Sequence, residues 1–447
     1  MSRKSTAAMA ATMIFAASLT GCTPLAPDPS PTSSPSGSGQ SSTPKTTLRV
    51  LVNATPGVLA AYEEIGTAFT KTHPNVTVRF QTYTKPDLTI PTASDLVSDG
   101  VPVDLFMADQ GALGSLSKDK LIAPVDELLG QRGLDFGDGY DRTALEAFSA
   151  DAHLQCMPTE ISPKVVYYNP ALVKLRRLVP KGDEIPSAEN GWTYPEFAKA
   201  VRRASERTIK GVEVGRDLAA LAPFILAGGG SVVDDAAAPT TLTLSTPESI
   251  GALRPLLRLL RNPDHTFTPE QLARRSAVDR FKDGTLAMIV GDRSLTPILR
   301  AKENFIFGAM PIPRGSRSAT TATISGFCLS QGAKNRSDAA DLLAYLASTE
   351  AATTLAQTGA VVPTNILVLR SEAFAQSGQS PRGATAFSDQ MRAIKPLPVG
   401  AVWADVVAQT EPAIGQLFMR PVIDPLSQRL AVIDESSKQL FAAGATG

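Results

Sequence analysis

The sequence predicts an α/β protein with more than one domain-sized unit. Two observations carry this. Apolar runs that read as strands interleave with segments of three- and four-residue apolar spacing that read as helices. The chain has 447 residues, and about 400 of them follow a biased N-terminal stretch, more than a single core usually spans.

The elements follow in order. Leu48 to Val52 is a short apolar strand. Leu59, Tyr62, Ile65 and Phe69 form one face of a helix, which stops at His73-Pro74-Asn75 because proline restricts the residue before it. Val76, Val78 and Phe80 alternate with Thr77 and Arg79 as a half-buried strand. Val103 to Met107 is a further strand, entered through Asp99-Gly100 and Pro102, and Leu113, Leu116 and Leu121 continue on a short helix and turn. This alternation implies a parallel sheet with helices on its faces.

Val165 to Tyr168 is the next strand, ended by Asn169-Pro170. Thr193-Tyr194-Pro195-Glu196 is a capping box with proline in the first turn, and Phe197, Ala200, Val201 and Ala204 give the helix its apolar face. A helix ends at Val278 to Lys282, with Asp283-Gly284 as its stop, and Leu286 to Val290 is an apolar strand. Ala339, Leu342, Leu343 and Leu346 mark another helix, and Ala401 to Ala442 is mostly helical, broken near Pro421 and Pro425.

Lysine plus arginine and aspartate plus glutamate each number 43, so the formal charge is zero. The charges are spread out, and no basic run suggests nucleic acid or an anionic membrane surface. The N-terminus is different. Arg3 and Lys4 precede an uncharged apolar stretch from Ala7 to Leu19, too short to span a bilayer and suited to a signal-peptide core. Leu19-Thr20-Gly21-Cys22 then resembles the bacterial lipobox, which implies that residues 1–22 are a lipoprotein signal and that Cys22 carries a lipid anchor. Of the 24 residues from Thr23 to Thr46, 17 are Pro, Ser or Thr. That composition cannot bury enough apolar surface to order itself, and it reads as a tether reaching on the order of 70 Å when extended.

Two other cysteines remain, Cys156 and Cys328, an even pair in an export compartment that permits disulfides. Two buried free thiols are the alternative, and the residues alone leave both open.

Several segments resemble, in order, the extracellular solute-binding proteins of the maltose-binding type. They are His73-Pro74-Asn75-Val76 after the first helix, Gly100-Val101-Pro102-Val103-Asp104 before a strand, Val166-Tyr167-Tyr168-Asn169 and Gly191-Trp192-Thr193-Tyr194-Pro195-Glu196-Phe197. Phe281-Lys282-Asp283-Gly284-Thr285-Leu286-Ala287-Met288, Phe307 to Pro313, and Ala340 to Gly359 with Val362-Pro363-Thr364 complete the set. Together they cover most of residues 47–370. The resemblance implies a two-lobed periplasmic-binding-protein-like fold of type II, two discontinuous α/β lobes joined by hinge strands. By analogy lobe one holds 47–158 and 291–327, lobe two holds 159–290 and 328–447, and crossings fall near Pro158, Val290 and Phe327. Cys156 and Cys328 flank the first and third crossings, whose strands run side by side in the family, so the resemblance also implies a Cys156–Cys328 disulfide across the hinge.

Such proteins bind a small solute between lobes, close over it and deliver it to the permease subunits of an ABC importer. They need no catalytic residue, cofactor or metal, and a monomer is expected. Ligand contacts are expected on loops that follow cleft-facing strands. The candidates are Asn53 with Ala54 and Thr55, Asp109 and Gln110, Glu160 with Thr159 and Ser162, Arg293 with Asp292, Gly326 with Ser325, and Trp403. Each has a structural alternative. Asn53 or Thr55 as helix cap, Asp109 as N-cap, Glu160 paired with Lys164 and Trp403 as a packing residue are all compatible with the sequence. Trp192 reads as a helix-entry core residue.

The solute favoured is a sugar or oligosaccharide. Sugar-binding members often carry a tryptophan where this chain has Arg293, and ring C–H faces are gripped by aromatic platforms. Arg293 offers instead a paired contact to a carboxylate or phosphate. A lipid-anchored hydrolase of glycosidase type is an alternative, but the histidines are only His73, His153 and His265, and Gly228-Gly229-Gly230 lacks the lysine and serine of a phosphate loop. A receptor or scaffold lipoprotein on the same fold is a second alternative.

Overall fold

The computed structural model describes residues 45–82, 97–98, 101–206, 208–419 and 425–444. The signal peptide, Cys22, the tether as far as residue 44, and Asp99, Gly100 and Pro421 lie outside the described residues. Pro44–Gly447 forms one compact unit. Thr46, expected as the tether's last residue, is the first residue of a strand.

The strands used below are β1 (Thr46–Val52), β2 (Val76–Thr82), β3 (Leu105–Asp109), β4 (Ile122–Ala123), β5 (Cys156–Pro163), β6 (Val165–Tyr168), β7 (Met288–Gly291), β8 (Gly308–Pro311) and β9 (Ala322–Ser330). The helices are α1 (Pro56–Thr72), α2 (Tyr194–Ala204), α3 (Leu218–Ala227), α4 (Pro247–Leu260), α5 (Leu295–Arg300), α6 (Arg336–Leu346), α7 (Thr349–Gln357), α8 (Ala401–Gln416) and α9 (Leu426–Gly444).

The first sheet runs β2-β1-β3-β9-β4, with β5 also paired to β9. β1 is parallel to β2 and β3, as the strand–helix alternation predicts. α1 starts on Pro56, buries Tyr62, Ile65 and Phe69, and ends as His73 donates its backbone N–H to Phe69 O at 3.0 Å. The sheet as a whole is mixed, however. β9 is antiparallel to β3 and to β5, because the chain re-enters this sheet from the opposite direction.

The second sheet is antiparallel, in the order β7-β6-β8. All four residues of β6 are buried, and they divide by alternation. Val165 and Tyr167 join the core that contains the first sheet. Val166 and Tyr168 join a second core with residues of α2, α3 and α4, Val406 and Ile414 of α8, and Leu430, Ile433 and Phe441 of α9. A strand covered on both faces loses the polar–apolar alternation of a half-exposed one, which is why Val165 to Tyr168 reads as a plain apolar run.

The sheet memberships correct the expected lobe boundaries. Val290 is no crossing: it pairs with Val166 inside the second sheet, and β8 returns as the other neighbour of β6. Gly291 and Gly308 to Pro311 therefore belong with the second sheet. α6 and α7, assigned by analogy to the second lobe, pack beside the first sheet, α6 against β1, β9 and α1 and α7 against α1. The chain instead crosses between the sheets at two adjacent places. β5 runs into β6 through Lys164, whose backbone N–H donates to Thr321 O at 3.0 Å. Thr320 to Ala322 lies beside it, with Thr320 Oγ1 donating to Lys164 O at 2.8 Å. Val362 to Thr364 also flanks β5, where Ile161 N donates to Val362 O at 2.9 Å and Thr364 N to Thr159 O at 3.1 Å.

Cys156 on β5 and Cys328 on β9 are direct cross-strand partners joined by a disulfide, with S–S 2.01 Å and Cα–Cα 4.3 Å. That spacing belongs to a non-hydrogen-bonded antiparallel pair, where side chains stand closest. The bond ties two neighbouring crossing strands within the first sheet.

Candidate functional site

The candidate site forms where β3, β9 and β5 lie side by side. Ser325 is in register with Asp109 on one side and with Glu160 on the other, so the three form one cross-strand row. Residues in such a row share a face of the sheet. Ser325 Oγ donates to Asp109 Oδ1 at 2.5 Å. Tyr62 on α1 reaches the same face and donates its hydroxyl to Glu160 Oε1 at 2.8 Å. The sequence misses Tyr62 as a site residue because its spacing marks it only as a core position. It is indeed fully buried.

A β-bulge creates the row. Ser325 pairs with Glu160 but Gly326 pairs with Pro158, so Thr159 is the extra residue. A side chain on Gly326 would not fit, since an ideal Cβ there falls 2.6 Å from Met157 O and 2.8 Å from Pro158 Cα. Gly326 thus serves the close strand packing beside Glu160.

Two carboxyl groups in this setting resist ionisation. Burial raises Asp109 above the usual carboxylate range, opposed by the Ser325 hydrogen bond. Burial also raises Glu160, up to about 7. The Tyr62 hydrogen bond works against this rise, and the Asp109 charge adds to it. Glu160 as a residue keeps part of its surface exposed.

The other expected contacts divide. Asn53 is exposed at the end of β1, beside the uncapped first turn of α1, where Thr55 makes no side-chain cap. Gln110 is committed to the backbone of β9: its Nε2 donates to Ala322 O at 3.4 Å and its Oε1 accepts from Ile324 N. That contact ties its side chain to the start of β9. Trp403 is partly exposed near the start of α8 and packs at the margin of the second core. The N-cap of that helix, Gly400, donates its N–H to Gly111 O at 3.1 Å, so α8 begins against the residue after Gln110.

Arg293 is not in this group. It is 0% exposed, its guanidinium stacks 4.0 Å over the Phe374 ring and 5.3 Å from that of Phe387, and Nη2 donates to Phe374 O at 2.5 Å. Its neighbour Asp292 takes the outward position and binds Lys164 Nζ at 2.7 Å. Lys164 is therefore not the partner of Glu160. Trp192 is 1% exposed and donates Nε1–H to Pro311 O at 2.8 Å, as a core residue should.

A groove of about 800 Å³ between α1 and β2, lined by Thr67, Thr70, Arg79 and Phe80, lies on the edge of the first sheet and contains none of the row residues. Cavity size alone therefore does not single out the row. Its chemistry does, with two partly exposed acidic residues and a buried phenol converging at the carboxyl end of β3, beside the crossings.

A model of the bacterial extracellular solute-binding proteins matches residues 64–381, well over half of the chain. The chain belongs to that family. The matched segment contains Asp109, Glu160 and Ser325, so the row lies within the family's own region. Solved structures of the same fold include solute-binding proteins at low identity. An ABC substrate-binding protein of Listeria monocytogenes in complex with cycloalternan superposes with TM-score 0.75 at 18% identity, over 89% of this chain and 99% of that one. The GacH receptor of Streptomyces glaucescens, solved unliganded and with acarbose, gives TM-score 0.71 at 17% identity over 89% and 99%. The MalE maltodextrin-binding domain of Bdellovibrio bacteriovorus, bound to maltotriose, gives TM-score 0.68 at 18% identity over 90% and 100%. No curated protein sequence matches. Among the described residues no helix of this solute-binding protein is long and apolar enough to cross a membrane.

Proposed function

We propose that this solute-binding protein is the lipid-anchored, extracytoplasmic receptor of an ABC importer, and that it captures a sugar or oligosaccharide between its two sheets. The observation that carries the reading is the Asp109–Ser325–Glu160 row beside the two segments where the chain crosses between the sheets. Sugar hydroxyls donate well to carboxylates, and such charge-assisted bonds are about twice as strong as neutral ones. Trp403 supplies the one partly exposed indole for a ring face, since Trp192 is buried. The cycloalternan, acarbose and maltotriose complexes of proteins with this fold support the carbohydrate class.

In this account Cys22 carries the lipid and the Pro/Ser/Thr-rich segment is the tether. Solute bridging the sheets favours the closed arrangement by its differential affinity, and the closed surface engages the permease. No bond is made or broken.

The test is a thermal-shift screen of the compact unit from Pro44 onward, against neutral mono- and oligosaccharides, sugar acids, phosphorylated sugars, polyols and peptides. A ligand at 100 times its Kd stabilises by about 2.7 kcal/mol. A shift with a neutral saccharide is expected. Shifts confined to peptides or to anionic compounds would overturn the carbohydrate assignment.

A further inference from the structure

Tyr62 stands in an aromatic setting built by three elements. Its ring centroid lies 5.4 Å from that of Phe80 on β2 and 5.7 Å, edge-on, from that of Phe327 on β9. It is 0% exposed, so its hydroxyl has one aim, and that aim is Glu160 Oε1 at 2.8 Å. Phe327 lies two residues beyond Ser325 on the same crossing strand. The phenol is thus fixed by the packing that fixes the row.

The titratable groups facing Glu160 are Tyr62 from α1 and Asp109 from β3. The flanking segments bring Ser325 and Pro363 opposite it, and neither titrates. The next basic residue along the strand, Lys164, is held by Asp292. No described cation therefore compensates the carboxylate. The Tyr62 hydroxyl is what favours its ionised form.

We propose that Tyr62 is a positioning residue for solute capture: it holds one carboxylate oxygen of Glu160, leaves the other to the cleft, and so couples capture of a hydroxyl-bearing solute to the protonation of Glu160. An ionised carboxylate is the stronger acceptor, so affinity falls as pH drops and Glu160 takes up a proton. Burial and the Asp109 charge bring that uptake close to neutral pH, against the effect of Tyr62. Removing the hydroxyl removes the hydrogen bond that favours the ionised form, and the proton is then held to higher pH. The part of this inference that concerns capture rests on the proposed solute site. The part that concerns Glu160 does not.

The experiment follows the carboxyl ¹³C resonance of Glu160 from pH 5 to 9 in glutamate-labelled protein, assigned by its absence in Glu160→Gln. The wild type is compared with Tyr62→Phe and Asp109→Asn. Loss of the hydroxyl is expected to raise the midpoint by about one to two pH units, and loss of the Asp109 charge to lower it. In parallel, the affinity for maltotriose is expected to fall with pH through the same midpoint, and Tyr62→Phe to move that fall upward. An unchanged Glu160 midpoint in Tyr62→Phe overturns the inference and leaves the sugar receptor standing. A normal midpoint shift with pH-independent maltotriose affinity overturns the coupling to capture. If no saccharide binds the wild type at any pH, the proposed function falls, and with it the role in capture.

Discussion

Cys328 lies directly across from Cys156, and the two sulfurs are bonded between the strands that carry the chain from one sheet to the other. Both residues are 0% exposed and are separated by 172 residues in sequence. The bond therefore closes a long loop while holding β5 and β9 in the register that aligns Glu160 with Ser325.

Protein from Pro44 onward, unfolded without reductant, is expected to show no reactive thiol, and two after reduction. The Cys156→Ser/Cys328→Ser variant is expected to lose about 2–5 kcal/mol of stability, read as a lower urea midpoint. Two reactive thiols before reduction would remove the bond from this account.

Gly326 sits where β9 passes closest to β5. Gly326→Ala is expected to destabilise by about 1–3 kcal/mol, because its Cβ would meet Met157 O at 2.6 Å. The same change is expected to weaken saccharide binding through displacement of Glu160. A variant as stable as wild type would show that the strands separate freely at the bulge.

Arg293 tests the distinction between burial and binding. Burial lowers its pKa to about 10, so it stays charged at neutral pH while enclosed by Phe374 and Phe387. Arg293→Ala leaves a cavity and is expected to cost about 2–4 kcal/mol. Arg293→Met keeps the volume and removes a buried charge, so the loss is expected to stay within about 2 kcal/mol. Calorimetry with the saccharide found by the screen is expected to give wild-type affinity for Arg293→Met. A folded Arg293→Met that no longer binds would return Arg293 to the site.

The two carboxyls raised furthest set a pH dependence of stability. Glu160 and Glu213 are each pushed from 4.5 to about 7, in both cases chiefly by burial. Glu213 is 7% exposed, with Arg216 Nε 4.0 Å from its Oε1. The folded chain holds these protons more tightly than the unfolded one. Their contribution is therefore largest below about pH 4.5 and is lost as pH rises towards 7, by up to about 3 kcal/mol for each group. The Glu160→Gln/Glu213→Gln variant is expected to lose this share of the dependence, so its urea midpoint should gain on wild type between pH 5 and 8. Parallel pH profiles for the two proteins would contradict the shifts.

Much of the first sheet was legible because β1, α1 and β2 carry local signals: alternation, helical spacing and a proline stop. Thr193 and Glu196 likewise announce a capping box that the structure contains in full. The partition of the chain was not legible. Val290 reads as a strand end whether the chain next crosses or turns back, and the choice depends on pairing with Val166, far away in sequence. The site split in the same way. Asp109 follows from a strand end and Glu160 from an expected crossing, but their meeting depends on a bulge at Thr159 that no local pattern marks. Tyr62 was visible as core and hidden as a donor, since spacing reports which face a ring takes and not what its hydroxyl touches. Arg293 was misread because a charged residue after a strand suggests a cleft. Two phenylalanines some 80 to 95 positions later cover it.

Tryptophan fluorescence tests the central claim most directly. The chain has two tryptophans, and Trp192 is sealed in the second core while Trp403 is partly exposed beside the Gly400–Gly111 contact. Titration of a saccharide that shifts the melting temperature is expected to change the emission saturably, and the change is expected to vanish in Trp403→Phe while persisting in Trp192→Phe. A saturable signal that survives Trp403→Phe, with calorimetric binding intact, would place the solute away from this cleft and contradict the account.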